Sequence, residues 1–128
     1  AAGREYIHIN ANGDVEPCVF CHFAVDNIRD RSLKDVLNSE FFKSIRRQQP
    51  YRENLLTPCA LIDEPSIIRD AVTKYHAHPT HPGAETLITD LKDELDEYAR
   101  SYRAIADDVW EREYREKDAR RSKSARYA

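Results

Sequence analysis

The chain has 128 residues, 41% hydrophobic and 34% charged, with a formal net charge of −3. That size sets one compact domain with an extension as the expectation. The near-neutral balance excludes a duplex nucleic-acid binder, which needs a net basic face to displace counterions. No apolar run is long enough to cross a bilayer, and the N-terminus lacks the basic-then-apolar profile of a signal peptide. The chain opens Ala1-Ala2-Gly3-Arg4 and contains no Met, which reads as a piece of a longer protein.

Tyr6-Ile7-His8-Ile9-Asn10 favours a strand, with Tyr6, His8 and Asn10 on one face and Ile7 and Ile9 on the other. Asn12-Gly13 is a hairpin turn signal, because both residues tolerate positive φ. The return arm Asp14-Val15-Glu16 closes at Pro17, which donates nothing to a ladder. A two-stranded ribbon is therefore expected to end at Cys18.

Asp26-Asn27-Ile28 reads as loop. Ser32, with Asp35 three residues on, signals a helix start. Leu33, Val36, Leu37, Phe41 and Ile45 share one face, so the spacing predicts one helix over 33–48, stopped by Pro50. The apolar segment 55–62 carries Cys59 inward. Asp63 is placed to cap a helix with Pro65 in its first turn, and Ile67, Ile68, Ala71, Val72 and Tyr75 form its buried stripe.

The stretch 76–83, with His76, His78, His81 and two prolines, reads as a linker or sharp turn. A long helix is predicted over 84–117. Ile88, Leu91, Leu95, Tyr98, Tyr102, Ile105 and Val109 alternate three and four apart, a narrow apolar seam suited to a coiled coil or to lying across another surface. Asp90, Lys92, Asp93, Glu94, Asp96 and Glu97 read as a solvated face. Trp110 and Tyr114 read as packing at the end of the seam. The small, basic stretch 119–128 reads as a disordered tail. The fold class expected is mainly α (α+β): a small N-terminal β-hairpin, two or three shorter helices and one long C-terminal helix.

Three cysteines, Cys18, Cys21 and Cys59, fit poorly with a closed disulfide framework. Thiolates held by a metal in a reducing cytoplasm are the simpler reading. Two thiolates at Cys-x-x-Cys spacing reach one ion or cluster, because a tight turn brings both sulfurs to the same side. Cys59 joins them if the helix starting at Leu33 folds back over the hairpin.

Three other readings compete. Cys18-Val19-Phe20-Cys21-His22 has the pattern of covalent c-type haem attachment, with His8, His76, His78 or His81 as a second axial ligand. That chemistry needs an oxidising compartment and often a Met, and it leaves Cys59 unexplained. A zinc site would use Cys18, Cys21 and Cys59 with His22 or His8 as fourth ligand. Unpaired thiols without metal are the third. His22 is also placed to tune a cluster from the second shell, and His76, His78 and His81 read as exposed.

The run Tyr6-Ile7-His8-Ile9-Asn10-x-x-Gly13-Asp14-Val15-x-Pro17-Cys18 resembles the start of the SPASM domain, the C-terminal auxiliary-cluster module of many radical SAM enzymes. The likeness continues through Asp26-Asn27-Ile28 and Ser32-Leu33 to Phe41 and Phe42, covering residues 1–62. The resemblance implies a [4Fe–4S] cluster on Cys18, Cys21 and Cys59, with a further Cys at or just before Ala1. Full SPASM domains bind two clusters, and three cysteines imply a shortened, single-cluster form. The chain lacks the Cys-x3-Cys-x2-Cys loop of the radical-generating cluster. That cluster and S-adenosylmethionine would then belong to an N-terminal radical SAM barrel of the same polypeptide. This segment would not be catalytic alone but part of an oxidoreductase or modifying enzyme acting on a peptide or small molecule. The implied layout is a SPASM-like domain over 1–75, a linker over 76–83, a helical extension over 84–118 and the tail. The competing function is a zinc-stapled or metal-free interaction module that pairs through the long helix, with a partner or with itself.

Overall fold

The computed structural model describes residues 2–115, a helix-rich α+β arrangement of four α-helices and two small antiparallel ribbons. β1 (His8–Ile9) pairs with β2 (Val15–Glu16), His8 opposite Glu16 and Ile9 opposite Val15. The loop between them runs from Asn10, whose carbonyl accepts from Gly13 N–H at 2.9 Å and whose N–H donates to Asp14 O at 3.1 Å. Gly13 alone in this loop takes positive φ, +91°. A Cβ there would stand 2.7 Å from Asn27 Oδ1, so glycine is required by space as well as by φ. Asn27 Nδ2 in turn donates to Asn12 O and Asp14 Oδ1, both at 3.0 Å, and locks the 26–28 loop onto the turn.

β3 (Phe23–Ala24) pairs with β4 (His78–Pro79). The His/Pro stretch that reads as a linker thus lies back along the N-terminal half. Pro79 is tolerated because this two-residue strand lies at an exposed edge.

The single helix predicted over 33–48 is two helices, α1 (Leu33–Leu37) and α2 (Glu40–Arg47). Ser32 caps the first as expected, accepting from Asp35 N–H at 3.2 Å. Ser39 starts the second, accepting from Phe42 N–H at 3.4 Å. A serine inside a helical pattern offers the backbone this alternative bond, and here the cap wins. The break lets neighbouring Phe41 and Phe42 both enter the core, with rings edge-to-face at 5.7 Å.

α3 (Ser66–Tyr75) buries Ile68, Ala71 and Val72, part of the expected stripe. Its cap is not Asp63: Pro65 occupies the N-cap position with no side-chain bond, and Asp63 is engaged with Cys59 instead. His76 closes the helix in the left-handed conformation, φ 54°.

The long helix starts at Lys92, not at residue 84. Ala84–Leu87 is a 3₁₀ turn; the Thr86 and Thr89 hydroxyls bond back to Gly83 O and Glu85 O, and Leu91 N–H closes onto Thr86 O at 2.8 Å. α4 (Lys92–Val109) follows, continued by a π-helical turn (Trp110–Tyr114). Its inward residues are Ala99, Ala106 and Trp110, whereas the predicted seam is largely outside, Tyr98 at 51% and Ile105 at 66% exposure. Ala99 and Ala106 allow close approach, and long polar side chains then complete the contact: Arg69–Asp96 at 2.8 Å, Arg103–Glu64 at 2.7 Å and Arg52–Asp107 at 2.9 Å. Trp110 and Tyr114 stack at 6.1 Å, as expected. Residues 116–118 of the predicted helix and the basic stretch 119–128 lie outside the described residues. Among the described residues, no helix is long and apolar enough to cross a membrane.

Candidate metal centre

Cys18 follows Pro17 at the end of β2, and Cys21 N–H donates to Cys18 O at 3.0 Å. This tight turn sets both thiols in the buried core beside Val15, Phe23 and Ile68. The N–H groups of Phe20 and Cys21 and the Tyr6 hydroxyl favour the Cys18 thiolate, and Phe23 N–H favours that of Cys21. Donors aimed at sulfur stabilise a thiolate and set the potential of any cluster it binds.

Cys59 comes from the irregular segment between α2 and α3. Its N–H donates to Asp63 Oδ2 at 2.8 Å, and its carbonyl accepts from the N–H groups of Asp63 (3.0 Å) and Glu64 (3.1 Å). All three cysteines are free thiols and line one cavity of about 170 Å³, walled by Ala2, Tyr6, Phe20, Pro58, Ala60, Leu61 and Ile68. Cys18, Cys21 and Cys59 thus share the lining of one cavity. The apolar wall, soft donors and thiolate-favouring N–H groups fit an iron–sulfur cluster.

Burial pushes the Cys21 thiol up most, and neighbouring Cys18 pushes it further; Phe23 N–H pulls against both. Cys18 is also raised, chiefly by burial, against the pull of the Phe20 and Cys21 N–H groups. Both are protonated thiols at neutral pH without metal, so loading must release their protons. The Tyr6 phenol, which lines the cavity, is raised first by burial and then by Cys18 and Cys59; the Tyr51 phenol is raised by burial against the pull of Gln49.

His8 and His22 face elsewhere. Glu16, 1% exposed, is the hub of a separate polar network: His8 Nδ1 lies 2.6 Å from Oε2, Thr80 Oγ1 donates to Oε1, Asn10 Nδ2 donates at 3.4 Å and His22 Nδ1 stands 3.8 Å away. Its partners satisfy the buried carboxylate and tie the hairpin to Thr80. Neither histidine lines the thiol cavity. His81 rests on His22 with ring centroids 5.2 Å apart, His78 stands 3.5 Å from Asp14, and His76 is exposed. Among the described residues, no three His, Cys, Asp or Glu side chains are grouped so as to hold one metal ion.

Sequence reasoning missed Tyr6 and Glu16. The signal for both was present, since Tyr6 shares a strand face with His8 and His8 sits opposite Glu16.

The arrangement defines a small α+β module built around buried thiols delivered by a hairpin and a distant loop. Residues 1–61 match the family model of the SPASM iron–sulfur cluster-binding domain. That model describes an iron–sulfur cluster-binding domain, and the segment it matches carries all three cysteines. Neither a curated protein nor a solved structure matches the chain.

Proposed function

We propose that the chain is the auxiliary-cluster portion of a radical SAM enzyme, with Cys18, Cys21 and Cys59 holding a [4Fe–4S] cluster. One observation carries this reading: cysteines about 40 residues apart line one largely apolar cavity, with backbone N–H groups that favour the thiolate at two of them. Such a cluster supplies one-electron transfer or an iron to which substrate can bind. Four irons and three thiolates leave one position for a further ligand, either bound substrate or a side chain from the chain adjoining Ala2, which lines the cavity. S-adenosylmethionine, the radical-generating cluster and the reaction on a peptide or small molecule belong in this reading to a barrel domain of the same cytoplasmic polypeptide. Phe20, 71% exposed at the cavity rim, gives that domain an apolar surface to cover.

Anaerobic reconstitution of the full-length protein with iron and sulfide tests the assignment. We expect cluster absorbance with stoichiometric iron and sulfide, and its loss in Cys18→Ala, Cys21→Ala and Cys59→Ala. Unchanged iron and sulfide at this site in Cys18→Ala would overturn it.

A second reading, a zinc-stapled or metal-free interaction module, is favoured by the exposed stripe Tyr98, Tyr102 and Ile105 on α4, with Leu91 at its N-cap. A tetrahedral zinc ion with bonds of about 2.3 Å needs its thiolates about 3.8 Å apart. Since no such group of three donors stands among the described residues, zinc loading would need the thiols to draw closer together. Light scattering at rising concentration separates the readings: a dimer that Ile105→Lys dissociates supports pairing, and a monomer throughout removes self-pairing.

A further inference from the structure

Cys59 sits in the segment 52–64, which has neither a helix nor a strand to hold it. Ala60 and Leu61 pack it into the core, and the side-chain hydrogen bonds that reach it from outside the segment come from α4, beyond the matched residues 1–61. At the near end, Arg52 grips Asp107 with two bonds, 3.1 and 2.9 Å, and Asn54 Nδ2 donates to the same carboxylate at 2.8 Å. In the middle, the Tyr102 hydroxyl donates to Leu56 O at 3.3 Å. At the far end, Arg103 Nη2 donates to Glu64 Oε1 at 2.7 Å and to Asp63 O at 3.3 Å. Asp63 is the residue whose carboxylate receives the Cys59 N–H.

Arg103 and Asp107 are four apart, so one turn of helix presents both on a single face. They meet the two ends of the segment, like the jaws of a clamp closed across the chain that bears the thiol. Asn54 and Asp63 are buried at these ends and Glu64 is largely so, whereas the Asp107 carboxylate stays partly open to water. A loop without regular structure opens locally unless such contacts restrain it.

We propose that Arg103 and Asp107 are positioning residues for Cys59, and that α4 holds the third thiol at the cavity shared with Cys18 and Cys21. The effect on thiol position is independent of what fills the cavity; the effect on a cluster rests on the function proposed above.

The test uses the full chain carrying Asp107→Asn or Arg103→Gln, with Asp107→Glu as the conservative rescue. In the metal-free protein, native-state alkylation of each cysteine is followed by peptide mass spectrometry. Removing one jaw should raise the Cys59 rate about three- to tenfold, as expected when a local opening loses one well-formed ion pair. Cys18 and Cys21 should keep their rates, and Asp107→Glu should restore that of Cys59. After reconstitution with iron and sulfide, the same variants should lose iron to a chelator faster and show a shifted cluster spectrum. Equal acceleration at all three cysteines would mean general destabilisation and would overturn the proposal, as would an unchanged Cys59 rate. If wild-type protein takes up no cluster, the function proposed above fails while the alkylation pattern still decides the clamp.

Discussion

Gly13→Ala should destabilise the protein by about 2–4 kcal/mol through the hairpin that delivers Cys18. An L-residue in the left-handed region costs about 1–2 kcal/mol, offset by roughly 0.4–1 kcal/mol because the unfolded chain also loses freedom. The new Cβ would lie 2.7 Å from Asn27 Oδ1, so Asn27 must move. Its two hydrogen bonds, to Asn12 O and Asp14 Oδ1, then weaken or break, at about 0.5–1.5 kcal/mol each. Gly83 provides the control: its φ is +83°, but a Cβ there meets nothing within 4 Å, so Gly83→Ala should cost only about 0.5–1 kcal/mol. Urea denaturation followed by circular dichroism reads both values. In an Asn27→Ala background, Gly13→Ala should fall to the Gly83 figure, because the obstructing side chain is gone. Equal losses for the two glycines in the wild-type background, within about 0.5 kcal/mol, would refute the packing argument.

Three further outcomes are expected. In the metal-free protein, Cys59, the only partly exposed thiol, should be alkylated at least about tenfold faster than Cys21, with Cys18 between them; mass spectrometry at neutral pH measures the order. Asp107 is held below the ordinary aspartate value, first by Arg52 and then by Asn54, so its stabilising contribution is complete above about pH 4 and lost as pH falls through the depressed folded value. Asp107→Asn should therefore flatten the acid limb of a stability–pH profile, an effect limited by the 42% exposure of the side chain. Phe42→Ala empties a fully buried site between α2 and Gly3 and should cost about 3–5 kcal/mol in a denaturant titration.

Several features were legible because their causes are local. The Gly13 turn, the Ser32 cap and the Cys18–Cys21 turn each depend on a few neighbouring residues, and all three are present. The α3 stripe was readable for the same reason, since periodicity records which face a helix buries. Other features misled because a local signal had two outcomes. Ser39 fits a helix interior or a cap, and Asp63 fits a helix N-terminus or a neighbouring amide. In both cases packing chose: the break at Ser39 buries both phenylalanines, and Asp63 is drawn to Cys59.

The apolar repeat along α4 shows the limit most plainly. Its period correctly marked a long helix, yet the face pressed inward carries Ala99, Ala106 and Trp110 rather than Tyr98 and Ile105. Small residues allowed close approach, and the ion pairs of Arg52, Arg69 and Arg103 supplied the rest.

By itself, the chain of residues determined the hairpin, the paired cysteines, the presence of the helices and the family likeness of the first 61 positions, because spacing and turn chemistry act over a few residues. Only the tertiary structure decided that Cys59 reaches the same cavity, that buried Glu16 gathers His8 and Thr80, and that α4 contacts the Cys59 segment. Each of these depends on contacts between residues distant in sequence, and such contacts are set by the shape and polarity that the folded elements present to one another.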